Sequence, residues 1–121
     1  MSSKQLITIL PYYKVKNNGA DDMRKVMNDG VEIVHANEPG CLFFSFIVNG
    51  NEVFVREGYA SADAVKKHMV NCGALAVKFL ESADLVKCEM HGPKKELDQL
   101  GETLQVFNPA YWYEEGLVHL Q

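Results

Sequence analysis

The chain is short of the features that announce most functions. Its 121 residues hold three cysteines, four prolines and one tryptophan. Three is an odd number, and Cys41, Cys72 and Cys88 stand far apart among apolar neighbours. They read as reduced core thiols of a cytoplasmic protein rather than as a disulfide framework. No apolar run approaches the roughly 20 residues that cross a bilayer. The opening MSSKQLITIL holds too short an apolar run for a signal peptide. Net charge is -4, and no basic cluster exceeds the pairs Lys66-Lys67 and Lys94-Lys95. A nucleic-acid surface is therefore not expected. HxH, HExxH and CxxC are all missing, and His35, His91 and His119 show no ligand spacing, so no metal is expected. GxGxxG, GxxxxGK[ST] and a serine-centred nucleophile motif are missing too, which argues against a bound nucleotide or a serine hydrolase.

What is present is ordinary globular composition, 47% hydrophobic and 23% charged, in a length that suits one domain with a real core. The core spans about residues 5–92 and an extension about 93–121. Leu6 to Val15 reads as a first strand, with Pro11 marking an edge position or a bulge. Asp21 and Asp22 open a helix whose stripe is Met23, Val26, Met27, Gly30 and Val34. Gly30 either permits close helix-sheet packing, the favoured reading, or is merely tolerated. Pro39-Gly40 ends this segment.

Two apolar runs follow, Cys41 to Val48 and Val53 to Tyr59, flanking Asn49-Gly50-Asn51. They predict a hairpin with a tight primed turn. Ser61 then caps a helix through Asn71, with Ala64, Val65, His68, Met69 and Cys72 on one face. Gly73 marks a break. Ala74 to Leu80 continues helically, with Leu75, Phe79 and Val77 as the inward candidates. Leu85 to His91 reads as a fourth strand. Pro93 starts a third helix with the inner stripe Leu97, Leu100 and Leu104, and Asn108-Pro109 ends it. Ala110 to Glu114 reads as a fifth strand. The order β-α-β-β-α-β, with a helix and strand appended, is the α+β ferredoxin-like arrangement. The hairpin strands are apolar on both faces. A few helices cover one face, so the other calls for a partner, and a homodimer packed sheet to sheet is expected.

Local structure brings Glu57, late in the second hairpin strand, close to His68 on the next helix. A carboxylate that fixes one imidazole nitrogen leaves the other free to take a proton. A structural hydrogen bond between strand and helix is the plainer reading of the same pair. The aromatics Tyr12, Tyr13, Tyr59, Phe43, Phe44, Phe46 and Trp112 either fill the core or line a flat apolar pocket that takes a small hydrophobic aromatic ligand. Arg56 points to the opposite face of its strand, towards a ligand carboxylate or a dimer salt bridge.

These residues resemble a known family. EPGC opening the second strand, and VREGY followed by ASADAVKKH, resemble the antibiotic biosynthesis monooxygenases, a group of dimeric α/β barrels. Glu38, Gly40, Glu57 and His68 fall on the family pattern, and the resemblance covers roughly Leu6 to His91. It implies a dimer with a pocket between sheet and helices. It also implies oxygenation of a phenol or quinol without metal, flavin or other cofactor, with Glu57 orienting His68, His68 as base, and Tyr12 or Tyr59 positioning substrate. The alternative is a non-enzymatic ligand-binding or stress-associated module. Haem-degrading members use an asparagine, a tryptophan and a histidine. The single tryptophan, Trp112, lies outside the matching region, so haem degradation is not expected. The tail from Tyr111 to Glu115 either closes the pocket or pads the dimer.

Overall fold

A computed structural model describes residues 5–116; His119 and its neighbours lie outside that range. The elements run β1 (Ile7–Val15), α1 (Ala20–Asn37), β2 (Cys41–Asn49), β3 (Glu52–Tyr59), α2 (Ala62–Phe79), β4 (Ala83–Gly92), α3 (Lys94–Leu97), a 3-10 turn (Gln105–Phe107) and β5 (Ala110–Tyr113). One sheet has the order β2-β3-β1-β4-β5. It is antiparallel except for the β4-β5 pair, which is parallel. This is the ferredoxin-like α+β fold with one added strand, and the sheet does not close on itself.

The helices cover one face of the sheet. The α1 stripe of Met23, Val26, Met27, Gly30 and Val34 is buried as a unit. It packs with Tyr13, Val53, Val55 and Phe79. Alternation along β1 and β3 turns Ile7, Ile9, Tyr13, Val53, Val55, Glu57 and Tyr59 inward, as the period of two requires. Tyr12, Phe54 and Arg56 therefore point to the other face. The hairpin loop is Gly50-Asn51, and only Gly50 has positive φ (62°). That is the pattern of a II′ turn, with glycine first, rather than an Asn-Gly I′ turn.

Several expectations change. Pro11 lies in β1, the central strand, so it is not at an edge; the bulge reading holds in its vicinity. The β1-β4 register shifts between Tyr12 and Tyr13, which makes Val86 the extra residue. Val86 is exposed and Leu85 packs inward instead. Gly73 does not break α2, which runs unbroken from Ala62 to Phe79. A Cβ at Gly73 would meet nothing within 4 Å, so glycine costs only its propensity there. Val77 faces out, 62% exposed. Gly30 is not forced by close packing either, since a Cβ there would meet only the Phe44 ring, at 3.9 Å.

The third helix is the largest change. α3 is four residues long, and the chain then proceeds through turns. Leu97, Leu100 and Leu104 are nonetheless fully buried, against Ile7, Tyr59, Val65 and Met90. Three leucines can reach one core without a regular helix when turns supply the spacing. Glu96 fixes this segment to the core. It is buried, and its Oε1 accepts the Ala62 backbone N–H at 3.1 Å, while its Oε2 accepts Gln99 Nε2 at 2.9 Å. A carboxylate from the extension thereby satisfies an orphan donor at the N-terminus of α2.

Candidate active site

His68 is set by the rotation of α2. Ser61 caps the helix, its Oγ accepting Ala64 N–H at 3.1 Å. Val65, His68 and Cys72 then fall on the buried face. Phe44 and Ile9 are the cross-strand neighbours of Glu57 on β2 and β1, so Glu57 projects from the sheet between apolar side chains towards α2.

Glu38 comes from elsewhere. It is the C-cap of α1, its N–H donating to Val34 O at 3.0 Å. Pro39-Gly40 then carries the chain across the first turn of α2. A Cβ on Gly40 would stand 2.7 Å from the Ala64 Cβ, so glycine permits this approach. The approach carries Glu38 to His68, one turn further along α2.

The result is an imidazole between two carboxyl groups. His68 Nδ1 lies 2.9 Å from Glu38 Oε1, and His68 Nε2 lies 3.6 Å from Glu57 Oε1. The first is a hydrogen bond. The second is too long for one, so Nε2 makes no close hydrogen bond among the described residues. In the tautomer whose Nδ1–H donates to Glu38, the lone pair is on Nε2. Glu38 Oε2 also accepts from Asn71 Nδ2 at 3.4 Å and from the Cys72 thiol at 3.7 Å. Tyr59 donates its hydroxyl to Glu57 Oε1 at 2.6 Å. All three ionisable groups are buried, each 6% exposed.

Burial raises the Glu57 carboxyl above its ordinary value. His68 and the Tyr59 hydrogen bond oppose that, and the Glu38 charge adds to it. The Tyr59 phenol is also raised, by burial first and then by Glu57, so it stays a donor. Burial, followed by the Glu38 charge, pushes the Cys72 thiol up to about 12 and the Cys41 thiol up to about 11. All three cysteines are free. The site thus sets a carboxyl group disposed to keep its proton beside an imidazole whose Nε2 makes no close hydrogen bond among the described residues.

Glu57 and His68 line a cavity between sheet and helices. Its walls are mostly apolar: Phe44 and Phe46 from β2, Val26 and Gly30 from α1, Leu104 and Phe107 from the extension. Such a slot suits a flat hydrophobic molecule with one polar group near Glu57.

The expected site residues divide. His68, Glu57 and Phe44 meet at the cavity. Tyr59 abuts it only through Glu57, its hydroxyl already engaged there. Tyr12 sits on the opposite face of the sheet, stacked on Phe54 and beneath Lys87, because strand alternation gives the inward position to Tyr13. Trp112 is 58% exposed on β5, near His91. It lines a separate shallow groove with Thr8 and Tyr113. Sequence reasoning also placed Glu57 as the orienting carboxylate, whereas the short bond to His68 comes from Glu38. Glu38, Cys72, Leu104 and Phe107 were missed as site residues, while Phe46 and Tyr13, expected as pocket aromatics, do line the cavity. The EPGC motif was the available signal for Glu38. Glu38, His68 and Cys72 also bring three potential ligand atoms within 4.8 Å of one another.

Comparison with known proteins bears on the family and the fold. No curated protein matches the chain in sequence. Among solved structures, MupZ from Pseudomonas fluorescens is 28% identical, with a TM-score of 0.86 over 95% of this chain and 94% of that one. A Caulobacter crescentus protein provisionally designated an antibiotic biosynthesis monooxygenase is 27% identical, with a TM-score of 0.62 over 72% and 86%. SnoaB of Streptomyces nogalater, a cofactor-independent oxygenase, is 13% identical and shares the fold, with a TM-score of 0.60 over 70% and 89%. The family model for antibiotic biosynthesis monooxygenase matches residues 6–72. That stretch runs from β1 through Glu38, Glu57 and His68 to Cys72, and the chain belongs to the antibiotic biosynthesis monooxygenase family.

Proposed function

We propose that the chain is a homodimeric monooxygenase that acts on a flat phenol or quinol without a metal or organic cofactor. The observation that carries this reading is His68 Nε2, which has no close hydrogen-bond partner among the described residues, on a histidine that lines an apolar cavity while its Nδ1 is held by Glu38. Nε2 takes the phenolic proton. Glu38 stabilises the imidazolium that results, and the low-dielectric walls strengthen that interaction. The substrate anion is electron-rich enough to reduce dioxygen directly. Its carbon bonds one oxygen atom; that carbon then loses its C–H proton as the O–O bond breaks, leaving a carbonyl, and the other oxygen takes up that proton together with the one from Glu57 and leaves as water. Both electron pairs come from the substrate. Glu57, neutral at first, gives its proton to the departing oxygen and recovers one from His68. Phe44 packs against the ring of the substrate.

The open face of the sheet supports the dimer. Leu10, Tyr12, Ile47 and Phe54 are only partly covered there, and Phe43 is exposed. A second copy laid on this face would cover them.

A second reading rests on Glu57. An acid kept protonated beside a base also serves reactions that need no oxygen, such as isomerisation, cyclisation or hydrolysis. Oxygen uptake by chelator-treated protein against a panel of hydroquinones and polycyclic phenols, with solution mass measured on the same sample, separates the two. Enzyme-dependent uptake by a dimer is expected. Turnover of a panel member without oxygen uptake favours the second reading. A folded protein that binds panel members without changing them would be the ligand-binding module.

A further inference from the structure

We propose that Glu38, His68 and Cys72 form a binding site for a divalent cation of the zinc class. His68 and Cys72 stand four residues apart on the buried face of α2, one helical turn, which aims both at the same point. Glu38 reaches that point from the cap of α1. Its two oxygens already touch both groups, Oε1 at 2.9 Å from His68 Nδ1 and Oε2 at 3.7 Å from Cys72 Sγ. The three ligand atoms all lie within 4.8 Å of one another. Ligands on a tetrahedral zinc-class ion sit about 2.0–2.3 Å from it, hence about 3.3–3.8 Å from each other. Binding requires the trio, which stands within 4.8 Å, to adjust to that spacing. One nitrogen, one sulfur and one oxygen are the donor types a borderline-soft cation takes.

The surroundings provide what such a site needs beyond its ligands. A metal-bound histidine commonly donates its other ring N–H to a carboxylate. Glu57 Oε1 stands 3.6 Å from His68 Nε2 and is itself fixed by Tyr59. Binding takes Cys72 as thiolate and His68 through Nδ1, so the thiol proton leaves to solvent and the ring proton sits on Nε2, facing Glu57. Three protein ligands leave a fourth position open.

If His68 is the base proposed above, this cation switches it off, because the proton forced onto Nε2 occupies the lone pair the mechanism uses. That consequence rests on the proposed function; the site itself does not.

Cobalt(II), added to chelator-treated protein without substrate, reads the site independently of turnover. A thiolate-to-cobalt charge-transfer band is expected to saturate at one equivalent and to disappear on adding one equivalent of zinc(II). Cys72→Ser should lose the band while melting cooperatively. Glu38→Gln, which keeps the thiol, should weaken cobalt binding by at least ~10-fold. Absence of the band in the unmodified protein overturns the site. So does a band that persists undiminished in Cys72→Ser, or unchanged cobalt affinity in Glu38→Gln.

Discussion

Replacing His68 with alanine is expected to lower turnover of an active quinol or phenol by about 10²–10⁴-fold, the range a positioned general base contributes. The fold should survive. Glu38 would lose its shortest side-chain bond but keep Asn71 and Cys72 as donors. The stability cost is then that of one lost buried hydrogen bond and a modest void, on the order of 1–3 kcal/mol. Oxygen uptake and a thermal melt on the same preparation check both halves. Loss of turnover with loss of folding would say only that His68 supports the structure. An unchanged rate in a folded variant would remove His68 from the chemistry. Glu38 should act through His68, as a positioning residue. Its effect would then appear in kcat more than in KM, since it touches no substrate in this arrangement.

Glu57→Gln is expected to make the protein a worse enzyme and a more stable one at neutral pH. The amide still accepts from Tyr59, so the geometry is preserved, but it carries no transferable proton. Turnover should fall by about 10²-fold or more. The stability effect follows from the direction of the carboxyl shift. In the folded protein burial holds Glu57 above its ordinary value. Below the unfolded-state value, the carboxyl is protonated in both states and its contribution is fully present. As pH rises from there towards the folded-state value, the unfolded chain releases the proton and the folded protein keeps it, so stability is lost. Each unit of separation corresponds to ~1.4 kcal/mol. Denaturant midpoints at about pH 4 and pH 7 should therefore show the parent losing stability across that interval and Glu57→Gln losing less. Parallel losses would mean that Glu57 ionises alike in both states, and that it is not the retained acid proposed here. A buried acid whose removal stabilises the protein is the mark of a group kept for function.

The sequence made local relations legible and long-range ones much less so. The α1 stripe from Met23 to Val34 and the paired apolar runs around Gly50 are periodic signals within one or two elements. Each sits where the structure puts it. The approach of Glu57 to His68 was readable for the same reason, since one strand end and one cap lie between them. Glu38 belongs to a different relation. It is 30 residues from His68, and the contact exists because Gly40 lets the loop graze Ala64 on α2. A family motif marks such a position without saying what it touches. Tyr12 and Tyr13 show a second limit. Both are aromatic, adjacent and equally suited to a pocket wall. Strand phase alone decides between them, and the bulge at Val86 shows how one inserted residue alters that phase locally. In the extension the leucines were correctly read as buried. Their three- and four-residue spacing suggested a helix, but tertiary burial against β1 and α2 is compatible with turns.

The tautomer of His68 tests the central claim most directly. Long-range proton–nitrogen correlation spectra of ¹⁵N-histidine-labelled protein, with His68 assigned by substitution, report which ring nitrogen carries the proton at neutral pH. The account predicts a proton on Nδ1, shared with Glu38, and a bare Nε2 facing Glu57. A proton on Nε2 would contradict it, because Nε2 would then have no lone pair to receive a proton from substrate.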